Sequence, residues 1–571
     1  AIDSIRFSLF ARHPIRHPLH VVILELTMIF NRWIHLGAVM VLTCLYCGLG
    51  CSKGSNKDDL GGIQQILHLG NGAEPEGLDP QLVTGVPEHN IISALIEGLV
   101  TEDKDDLHPV PGVAERWEKN SDGLIWTFHL RKDAKWSNGD SVTARDFVES
   151  YRRILSPTLG SQYAYMLHVV KNAEEFNSGK LKDYSLVGFE AVNDYVLKIT
   201  LKEPTPYFLS LLNHYSWFPV HIPTVKKHGA PYKQGNDWHL EGNFVGNGAF
   251  ILDKWEVNKI IVVKKSPTYW DRDTVKLEEI HFHPISDAEV EERTFRAGQI
   301  HVSNTIPLNK IEVYRKKEPK KLRIDTYLGT YFYRLNTKRK PLNDKRVRQA
   351  LALAVNRESI VRNVHHRTVE VATHFTPSLK GLYTYKGGVR LEYNPDRAKQ
   401  LLAEAGFPGG KGFPKMALLY NSSEAHRRMA EVIQQMWKQN LGIDIELANE
   451  EWKVYLKSAQ EMEYDICRAG WIGDYPDANT FLDMWLTGGG NNYTGFAMPE
   501  YDKLIADAAR ARDEARAAIF QKAEELLLDE MPVLPIYFYT ARYLIDPSVR
   551  EWNETILNHH PYKYVYLEPA D

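Results

Sequence analysis

The sequence predicts an α/β protein built from two or three lobes. The chain has 571 residues, which is more than one hydrophobic core usually supports, so several lobes are expected. Strand patterns with a period of two are interleaved with helical stripes along the chain. Between about 330 and 540, helices and strands follow one another as βα-type units that feed one sheet.

Two segments of the first half have the pattern of half-buried strands. In 197–201 three apolar residues alternate with polar ones, and two prolines follow at 204 and 206. Residues 126–130 alternate in the same way. Both segments are therefore assigned to sheets.

Helices are easier to recognise in the second half. Asn343 can cap a helix with an apolar stripe within 347–354. Asn394 and Pro395 begin another helix, which Gly406 ends.

A third helix carries apolar residues at 429, 432, 433, 436 and 437 and ends at Gly442. An alternating strand over 443–447 follows it, and 464–471 continues the succession. This part of the chain is the predicted α/β lobe.

The composition excludes several classes of protein. Hydrophobic residues make up 43% and charged residues 25% of the chain, which argues against disorder and a polytopic membrane protein. Lys and Arg number 69 against 73 Asp and Glu, a net charge of -4. With no global basic field, we expect no nucleic-acid partner.

The N-terminal part has the pattern of an export signal. Arg32 precedes an almost charge-free run over 33–51, as in a signal peptide. The run ends in Gly-Leu-Gly-Cys, which resembles a bacterial lipobox, although Gly48 stands where Leu is commonest. We therefore expect lipidation at Cys51, a lipoprotein signal peptide over 28–50, and upstream, non-native sequence over 1–27.

Two alternatives to the lipobox stay open, a plain signal peptide and a retained single-span anchor. The apolar run is short for a membrane span, which needs about 20 residues. Each alternative keeps the chain outside the cytoplasm, so an extracytoplasmic or periplasmic location is expected.

Cysteine placement argues against a disulfide framework. Cys44, Cys47 and Cys51 lie close together near the N-terminus, and Cys467 is the only later cysteine. A lone cysteine without identifiable His and Asn partners is more often a buried apolar residue than a nucleophile.

No motif for catalysis, a cofactor or a metal is visible in the sequence. Gly-Gly-Lys at 409–411 lacks the upstream Gly and the Ser or Thr of a P-loop, so we expect a surface turn. The histidine pairs 281/283, 365/366 and 559/560 lack the spacing of a metal motif, which favours exposed or hydrogen-bonding histidines. We therefore expect a binding protein without a cofactor or metal rather than an enzyme.

A long motif runs from 114 to 147. It reads AERW at 114–117 and WTFHLRKDAKWSNGDSVTARDF at 126–147. This segment resembles the signature of the extracytoplasmic solute-binding proteins of peptide ABC transporters, solute-binding protein family 5. Physically it predicts a strand, a tight turn at Asn138-Gly139 and a helix that begins at Thr143, so a structural role is favoured over ligand contact.

A second motif, RAGWIGDYPDANTF at 468–481, is similar to the ligand-contacting strand and loop of the oligopeptide binders of this family. The resemblance extends through 85–88, 161–163, 419–423 and 451–453. It covers nearly all of 62–571, and it therefore places the chain with the oligopeptide binders.

The resemblance implies a three-lobed periplasmic binding protein-like fold of class II type, with two hinged α/β lobes plus an extra lobe. Lobe I would consist of 52–96, 224–328 and 542–571, lobe II of 97–223, and lobe III of 329–541. An extended peptide would be enclosed between the hinged lobes.

The resemblance also implies a set of ligand contacts. Asp474 would anchor the peptide ammonium by a charge-assisted bond in a closed cleft. Gly470, Trp471 and Ile472, with Val86 opposite, would add strand-like main-chain bonds. The alternative for Asp474 is a loop aspartate in a Gly-Asp-Tyr-Pro turn.

Side-chain pockets and the carboxylate end follow from the same resemblance. Tyr163, Trp452 and Trp471 would form amphipathic pocket walls, and plain core aromatics are the alternative for the first two. Arg468, with His426 or His365 nearby, would meet the terminal carboxylate of short peptides. A structural ion pair is the alternative for Arg468.

The chain departs from the family pattern at several positions. Gly329 and Ile472 stand where some members carry a pair of cysteines, and Thr84 stands where close relatives have an acidic residue. Ala459 and His365 replace basic residues that can pair with ligand carboxylates. Peptide-length preference is therefore left open.

Together these observations predict a monomeric, lipid-anchored, non-enzymatic receptor that captures short peptides and delivers them to an inner-membrane ABC peptide permease. One alternative keeps the fold and changes the cargo to murein tripeptide, haem or a nickel chelate. Another alternative is an exported hydrolase such as a peptidase.

Overall fold

The computed structural model describes residues 64–378, 385, 387 and 391–569. The predicted upstream extension, signal peptide and lipidation site at Cys51 lie outside the described residues. Across the described residues, no helix has both the length and the apolar character needed to cross a membrane.

Eighteen strands are described. They are β1 Ile66–Gly70, β2 Val100–Glu102, β3 Pro109–Pro111, β4 Ala114–Lys119, β5 Ile125–Leu130, β6 Phe189–Asn193, β7 Val196–Thr200, β8 Phe250–Glu256, β9 Ile260–Lys265, β10 Glu279–His283, β11 Leu322–Leu335, β12 Glu370–Val371, β13 Met416–Asn421, β14 Ile445–Glu450, β15 Ile466–Ile472, β16 Val533–Leu544, β17 Val549–Arg550 and β18 Tyr566–Leu567.

The α-helices of the described residues are interleaved with these strands. They are α1 Val86–Leu95, α2 Ala144–Ile154, α3 Ala173–Asn177, α4 Phe208–Leu211, α5 Ile222–Lys227, α6 Ala288–Arg296, α7 Ile311–Lys317, α8 Lys345–Leu353, α9 Arg357–Asn363, α10 Pro395–Glu404, α11 Glu424–Leu441, α12 Trp452–Gln460, α13 Asn479–Leu482, α14 Pro499–Arg510 and α15 Asp513–Glu530. The predicted α/β class is confirmed.

Three larger sheets organise the described chain. The first sheet has the order β1-β10-β9-β8, and the second, β4-β5-β7-β6, is antiparallel throughout. The third is a mixed sheet with the order β12-β16-β11-β15-β13-β14. Because β1 pairs with β10, the chain leaves the first sheet and returns about 180 residues later. The lobe boundaries stay a prediction.

Several local predictions are confirmed. β5 contains the alternating segment 126–130, β7 contains the segment 197–201 except for Leu201, and the two strands pair antiparallel. Thr143 caps α2 in a capping box with Asp146. Asn394 caps α10 by accepting the Arg397 backbone N–H. Gly442 ends α11 at φ 71°, a left-handed conformation that glycine adopts without strain.

Two boundaries differ from the predictions. Asp344 rather than Asn343 caps α8, because its carboxylate accepts the Arg346 backbone N–H. The strand predicted over 443–447 is β14, which begins two residues later at Ile445. The alternating pattern predicted a strand correctly but not its first residue. Ile443 is buried like a strand residue, although the pairing with β13 begins only at Ile445.

The core under the third sheet is aromatic and aliphatic. Trp437 of α11 is fully buried, and its indole N–H donates to the Leu351 carbonyl oxygen at 2.9 Å. Tyr331 and Leu335 of β11 are fully buried in the same cluster. Each such side chain contributes about 1.5–3 kcal/mol by burial, so β11 and β15 are held on a rigid support.

Candidate functional site

The predicted ligand segments meet at one cavity beside the end of β15. The cavity has a volume of about 150 Å³. Its walls come from segments that are distant in sequence: 84–86, 89–90, 163, 214–215, 327, 334, 452, 455–456, 459, 468–474, 491, 493 and 557–559. Of the predicted ligand residues, this cavity collects Asp474, Trp471, Gly470, Ile472, Arg468, Tyr163, Trp452 and Val86.

The strand β15 has one free edge along this cavity. On one side it pairs antiparallel with β11 from Ile466 to Ile472. On the other side β13 pairs only at Ile466 and Cys467. Within the described residues, no strand covers the second edge of 468–472. Main-chain groups on such an edge can pair with an added extended chain.

Gly470 lies in the middle of this edge, and its lack of a side chain is required. A Cβ there would come within 2.5 Å of the Tyr539 hydroxyl oxygen. Tyr539 in turn accepts a hydrogen bond from Arg468 Nη2 at 2.7 Å. Gly470 therefore allows the tyrosine to reach under the strand and hold the arginine.

Gly329 and Ile472, where the family resemblance implies a pair of cysteines in some members, lie directly opposite each other on β11 and β15. A Cβ on Gly329 would lie 2.5 Å from Cδ1 of Ile472. The isoleucine side chain thus fills the space over the glycine, and packing takes the place of a covalent link.

Asp474 lies two residues beyond the end of β15, and its side chain is 9% exposed. Tyr163 donates its hydroxyl hydrogen to Oδ1 at 3.2 Å, and the Thr480 hydroxyl lies 3.4 Å from Oδ2. His214 Nε2 lies 3.4 Å from Oδ1. In the described part of the chain, no lysine or arginine pairs with this carboxylate.

Burial raises the pKa of Asp474 to about 7, although hydrogen bonds from Tyr163 and Thr480 oppose the shift. Burial also lowers the pKa of His214 to about 3, so this ring is neutral at neutral pH. The carboxylate is therefore destabilised by its surroundings. A cation that entered the cavity would gain an unusually favourable partner.

Aromatic side chains form the walls beside Asp474. The Tyr163 ring lies 6.4 Å from Trp471 and 5.8 Å, edge to face, from Tyr215. The Trp471 indole N–H donates to the Thr480 carbonyl oxygen at 2.7 Å, which fixes its ring. Trp452 begins α12 and stacks on Tyr455 at 5.7 Å.

Val86 lies across the cavity as expected, but it is not part of a strand. It is the first residue of α1, with Pro87 next, and it is 40% exposed. The extended backbone ends at Gly85, with φ −105° and ψ 158°. Main-chain bonds from Val86 to a ligand would therefore come from the first turn of a helix, where the Val-Pro pair begins it, and they stay a prediction.

Arg468 lies at the far end of the same edge and is 9% exposed. Its Nη2 donates to Tyr539, its Nη1 donates to Asn421 Oδ1 at 3.2 Å, and its guanidinium lies 4.8 Å from the Tyr331 ring centroid. No carboxylate pairs with it among the described residues. A structural ion pair, the alternative weighed for Arg468, is therefore wrong for this part of the chain.

His426 and His365 lie behind Arg468 rather than in the cavity wall. His426 Nδ1 lies 3.5 Å from the Tyr331 hydroxyl. His365 Nδ1 accepts a hydrogen bond from Arg542 at 3.1 Å. Burial, and next the charge of Arg542, lower the pKa of His365 to about 3. Burial is also the main cause of the lowered pKa of His426. Both rings are therefore neutral.

A sequence profile now identifies the family. The profile described as bacterial extracellular solute-binding proteins, family 5 Middle, matches residues 108–493. The chain belongs to this family.

Relatives in family 5 match over most of their lengths. The periplasmic oligopeptide-binding protein OppA of Salmonella typhimurium is 37% identical over 530 residues, which cover 90% of this chain and 94% of the relative. The periplasmic murein peptide-binding protein MppA of Escherichia coli is 37% identical over 486 residues, which cover 84% and 88%.

Solved family-5 structures superpose closely. Haemophilus influenzae OppA in complex with RPPGFSPFR gives a TM-score of 0.83 at 35% identity, covering 88% of this chain and 99% of that one. One E. coli MppA structure also gives a TM-score of 0.83, whereas a structure of MppA in the unliganded open form gives only 0.59. The parts of this chain are therefore arranged differently from that open form.

Several residues that line the cavity were not predicted from the sequence. His214 and Tyr215 face Asp474 and Tyr163, and Arg334 of β11 lines the wall near Arg468. Arg334 is 6% exposed, and its guanidinium lies 4.8 Å from the Tyr493 ring centroid. The only available signal was the cluster of aromatic residues at 214, 215, 217 and 218, which is equally typical of a hydrophobic core.

Three of the five positions that depart from the family pattern, Thr84, Ala459 and Ile472, line the cavity. None of these side chains carries a charge, so they add no ionic group to the cavity wall. Gly329 and His365 are not among the lining residues.

A second cavity of about 120 Å³ adjoins the first. The two share His89, Asn90, Asn558 and His559 in their walls. The His89 and His559 rings stack at 4.1 Å and separate the two spaces.

Proposed function

We propose that the chain is an extracytoplasmic receptor that captures short peptides in an extended conformation and delivers them to an ABC peptide permease. The strongest support for this proposal is that two features suited to a peptide lie side by side. A buried carboxylate that has no lysine or arginine partner among the described residues, Asp474, lies next to the free strand edge of β15. A peptide offers an ammonium and a ladder of amides that match both.

The contacts of such a peptide follow from the geometry. Its ammonium replaces solvent at Asp474, while the Tyr163 hydroxyl and Thr480 keep the carboxylate oriented. The peptide backbone adds to the edge at 470–472, with Val86 opposite. Recognition of groups common to all peptides leaves side-chain identity open.

Side chains and the C-terminus use the rest of the cavity. Tyr163, Trp452 and Trp471 offer aromatic surfaces that accept varied side chains. Arg468 offers guanidinium donors to a peptide carboxylate, with His426 and His365 as neutral supports behind it. Arg468 and Asp474 are about six residues apart along the strand direction, at a rise of about 3.3 Å per residue. An extended peptide that contacts both residues therefore has about six residues.

Calorimetry with tri- to pentapeptides tests this proposal. Each free peptide is compared with its N-acetylated form, and native mass spectrometry of the purified protein looks for co-purified peptides. We expect binding of free peptides and a large loss on acetylation. Equal affinity for both forms would exclude Asp474 as the ammonium anchor.

Murein tripeptide is a second candidate cargo. The support is the MppA relative, named for murein peptide binding, with 37% identity and a TM-score of 0.83 for one of its structures. Competition between murein tripeptide and an ordinary tripeptide of L-residues distinguishes the two. A clear preference for the murein compound would make it the principal cargo. Haem and a nickel chelate serve as further competitors.

The exported hydrolase is the remaining alternative. Cys467 is fully buried, and burial raises its pKa to about 11, which makes it a poor nucleophile. Incubation of the protein with the peptides that bind, followed by mass spectrometry, gives a direct answer. We expect intact peptides after the incubation, and cleavage would refute the receptor proposal.

Membrane attachment through a lipid at Cys51 and a monomeric state complete the proposal. Labelling with a radioactive fatty acid in a bacterial host, with Cys51→Ser as the control, tests the anchor. Sedimentation of the purified protein tests the oligomeric state. Unlabelled wild-type protein would exclude the lipid anchor without affecting the peptide site.

A further inference from the structure

Four histidines from three separate segments meet on the outward face of the first sheet. His68 of β1 lies opposite His281 of β10 in the parallel register, and His283 follows two residues along β10. His301 precedes Val302, which bridges to the other edge of β1. Their neighbours Leu69 and Phe282 are buried. The four rings are therefore on the face opposite the core.

The rings are in mutual contact. From the centroid of His68, the ring centroids of His281, His283 and His301 lie at 4.5, 5.3 and 5.6 Å. His68 Nδ1 and His283 Nε2 are 3.0 Å apart. Two nitrogens bound to one tetrahedral Zn²⁺ at 2.0–2.1 Å lie about 3.3 Å apart. One pair is thus already close to the spacing of two metal ligands.

We propose that His68, His281 and His283 bind one divalent transition-metal ion, with Zn²⁺ as the reference ion. Imidazole nitrogen is a preferred ligand of such ions, and three histidines with one open position form a known type of zinc site. This site belongs to the first sheet and shares no residue with the peptide cavity.

The hydrogen bonds define which nitrogens are available. His281 Nε2 lies 2.7 Å from the Glu279 carboxylate. In the neutral ring Nε2 therefore carries the hydrogen, and Nδ1 keeps the lone pair. A carboxylate behind a ligand histidine is the usual outer contact of a metal site. His301 is not a ligand, because its Nδ1 accepts the His68 backbone N–H at 3.0 Å.

When the metal ion binds, the hydrogen bond between His68 and His283 is replaced by one metal bond to each ring. The proton shared by His68 Nδ1 and His283 Nε2 leaves that position, and one proton is taken up at the remote nitrogen of the same ring. Both rings stay neutral, and no net proton is released by the pair. In the structure the three ligand nitrogens do not all lie within 4.8 Å of one another, so the His281 ring must turn toward the ion.

The charged groups around the site are of both signs. The charged groups nearby include Glu279, with Lys264 opposite it on β9, and Asp546, whose backbone N–H donates to the His301 carbonyl. Glu291 of α6 covers the Gly70 end of the face.

Calorimetric titration with Zn²⁺ tests the proposal on the full chain, purified without a polyhistidine tag. We expect one ion per chain, and at least tenfold weaker binding in His68→Asn and in His283→Asn. His108→Asn is the matched control. It removes the histidine of an exposed loop where Asp103, Asp106 and His108 are also close together. Absence of Zn²⁺ binding, or binding weakened only by His108→Asn, would overturn the proposal.

A second measurement uses the wild-type chain alone, in case a variant fails to fold. Histidines are modified with diethylpyrocarbonate with and without Zn²⁺ and mapped by mass spectrometry. We expect Zn²⁺ to protect His68, His281 and His283 at least fivefold, and to leave His108 reactive. Equal modification of the three histidines with and without Zn²⁺ would contradict the proposal.

Discussion

The two ends of the β15 edge bury charged groups of opposite sign. At one end the Asp474 carboxylate is buried among a tyrosine, a threonine and a neutral histidine. At the other end the Arg468 guanidinium is buried among tyrosines and an asparagine. Within the described residues, neither group has a partner of opposite charge.

The difference between the ends lies in how firmly each charge is held. Arg468 keeps its charge at all accessible pH values, because a guanidinium is not deprotonated in proteins. Asp474 has a pKa of about 7 and is therefore only partly ionised at neutral pH. The acidic end thus depends on its ligand to become fully charged, whereas the basic end does not.

The largest expected effect comes from the acidic end. In Asp474→Asn, binding of a free tripeptide should weaken by about 100-fold or more, because losing a buried charge-assisted bond costs about 3 kcal/mol. Calorimetry with free and N-acetylated peptides measures this. Binding of the acetylated peptide should change much less. An equal loss for both peptides would indicate that the substitution acts on the fold rather than on the ammonium.

The basic end should have a smaller effect. Arg468→Met should weaken binding of peptides with a free C-terminus by about 30-fold, since one hydrogen bond to a charged group contributes about 1.5–3 kcal/mol. C-terminally amidated peptides should be nearly unaffected. Arg334→Met is the matched variant, because Arg334 also lines the cavity without an ion-pair partner among the described residues. If only Arg334→Met weakens binding, the carboxylate site belongs to that arginine.

The titration of Asp474 predicts a pH dependence. Its pKa in the empty cavity is about 7, and a bound ammonium requires the ionised form. Affinity should therefore rise about fivefold between about pH 6 and about pH 7.4 as Asp474 ionises, and fall above that range because the peptide α-amino group, with a pKa of about 7.7–8.0, loses its proton. A peptide without titratable side chains is titrated by calorimetry across this range. The same pH profile in Asp474→Asn would assign the dependence to another group.

The smallest effect is expected behind Arg468. His426→Asn and His365→Asn should change peptide affinity by less than about threefold, because uncharged groups away from the ligand contribute little to affinity. Calorimetry measures the affinity, and thermal unfolding reports any loss of stability. A loss as large as that of Arg468→Met would place one of these histidines in direct contact with the carboxylate.

Local patterns predicted much of the fold. The capping box at Thr143, the cap at Asn394 and the end of α11 at Gly442 depend only on neighbouring residues, and all three are confirmed. The helix that begins at Val86 was not predicted, because a Val-Pro pair suits a helix start as well as an extended segment.

The pairing of distant segments could not be read from the sequence. Nothing near His214 indicates that its ring meets Asp474, which is 260 positions away. The histidines of β10 gave no metal pattern on their own, because His68 and His301 join them only through the strand order of the first sheet. Such contacts depend on topology, which local periodicity does not encode.

The position of the free β15 edge inside a cavity limits which chains can pair with it. An unpaired strand edge normally invites other sheets to associate with it and so promotes aggregation. Here the edge lies inside a cavity lined by Trp452, Tyr163 and Asn558, among others. A strand that is packed within another folded protein is too bulky to enter this cavity. Under the proposed function, the enclosure therefore admits only short, unfolded chains, whatever their sequence.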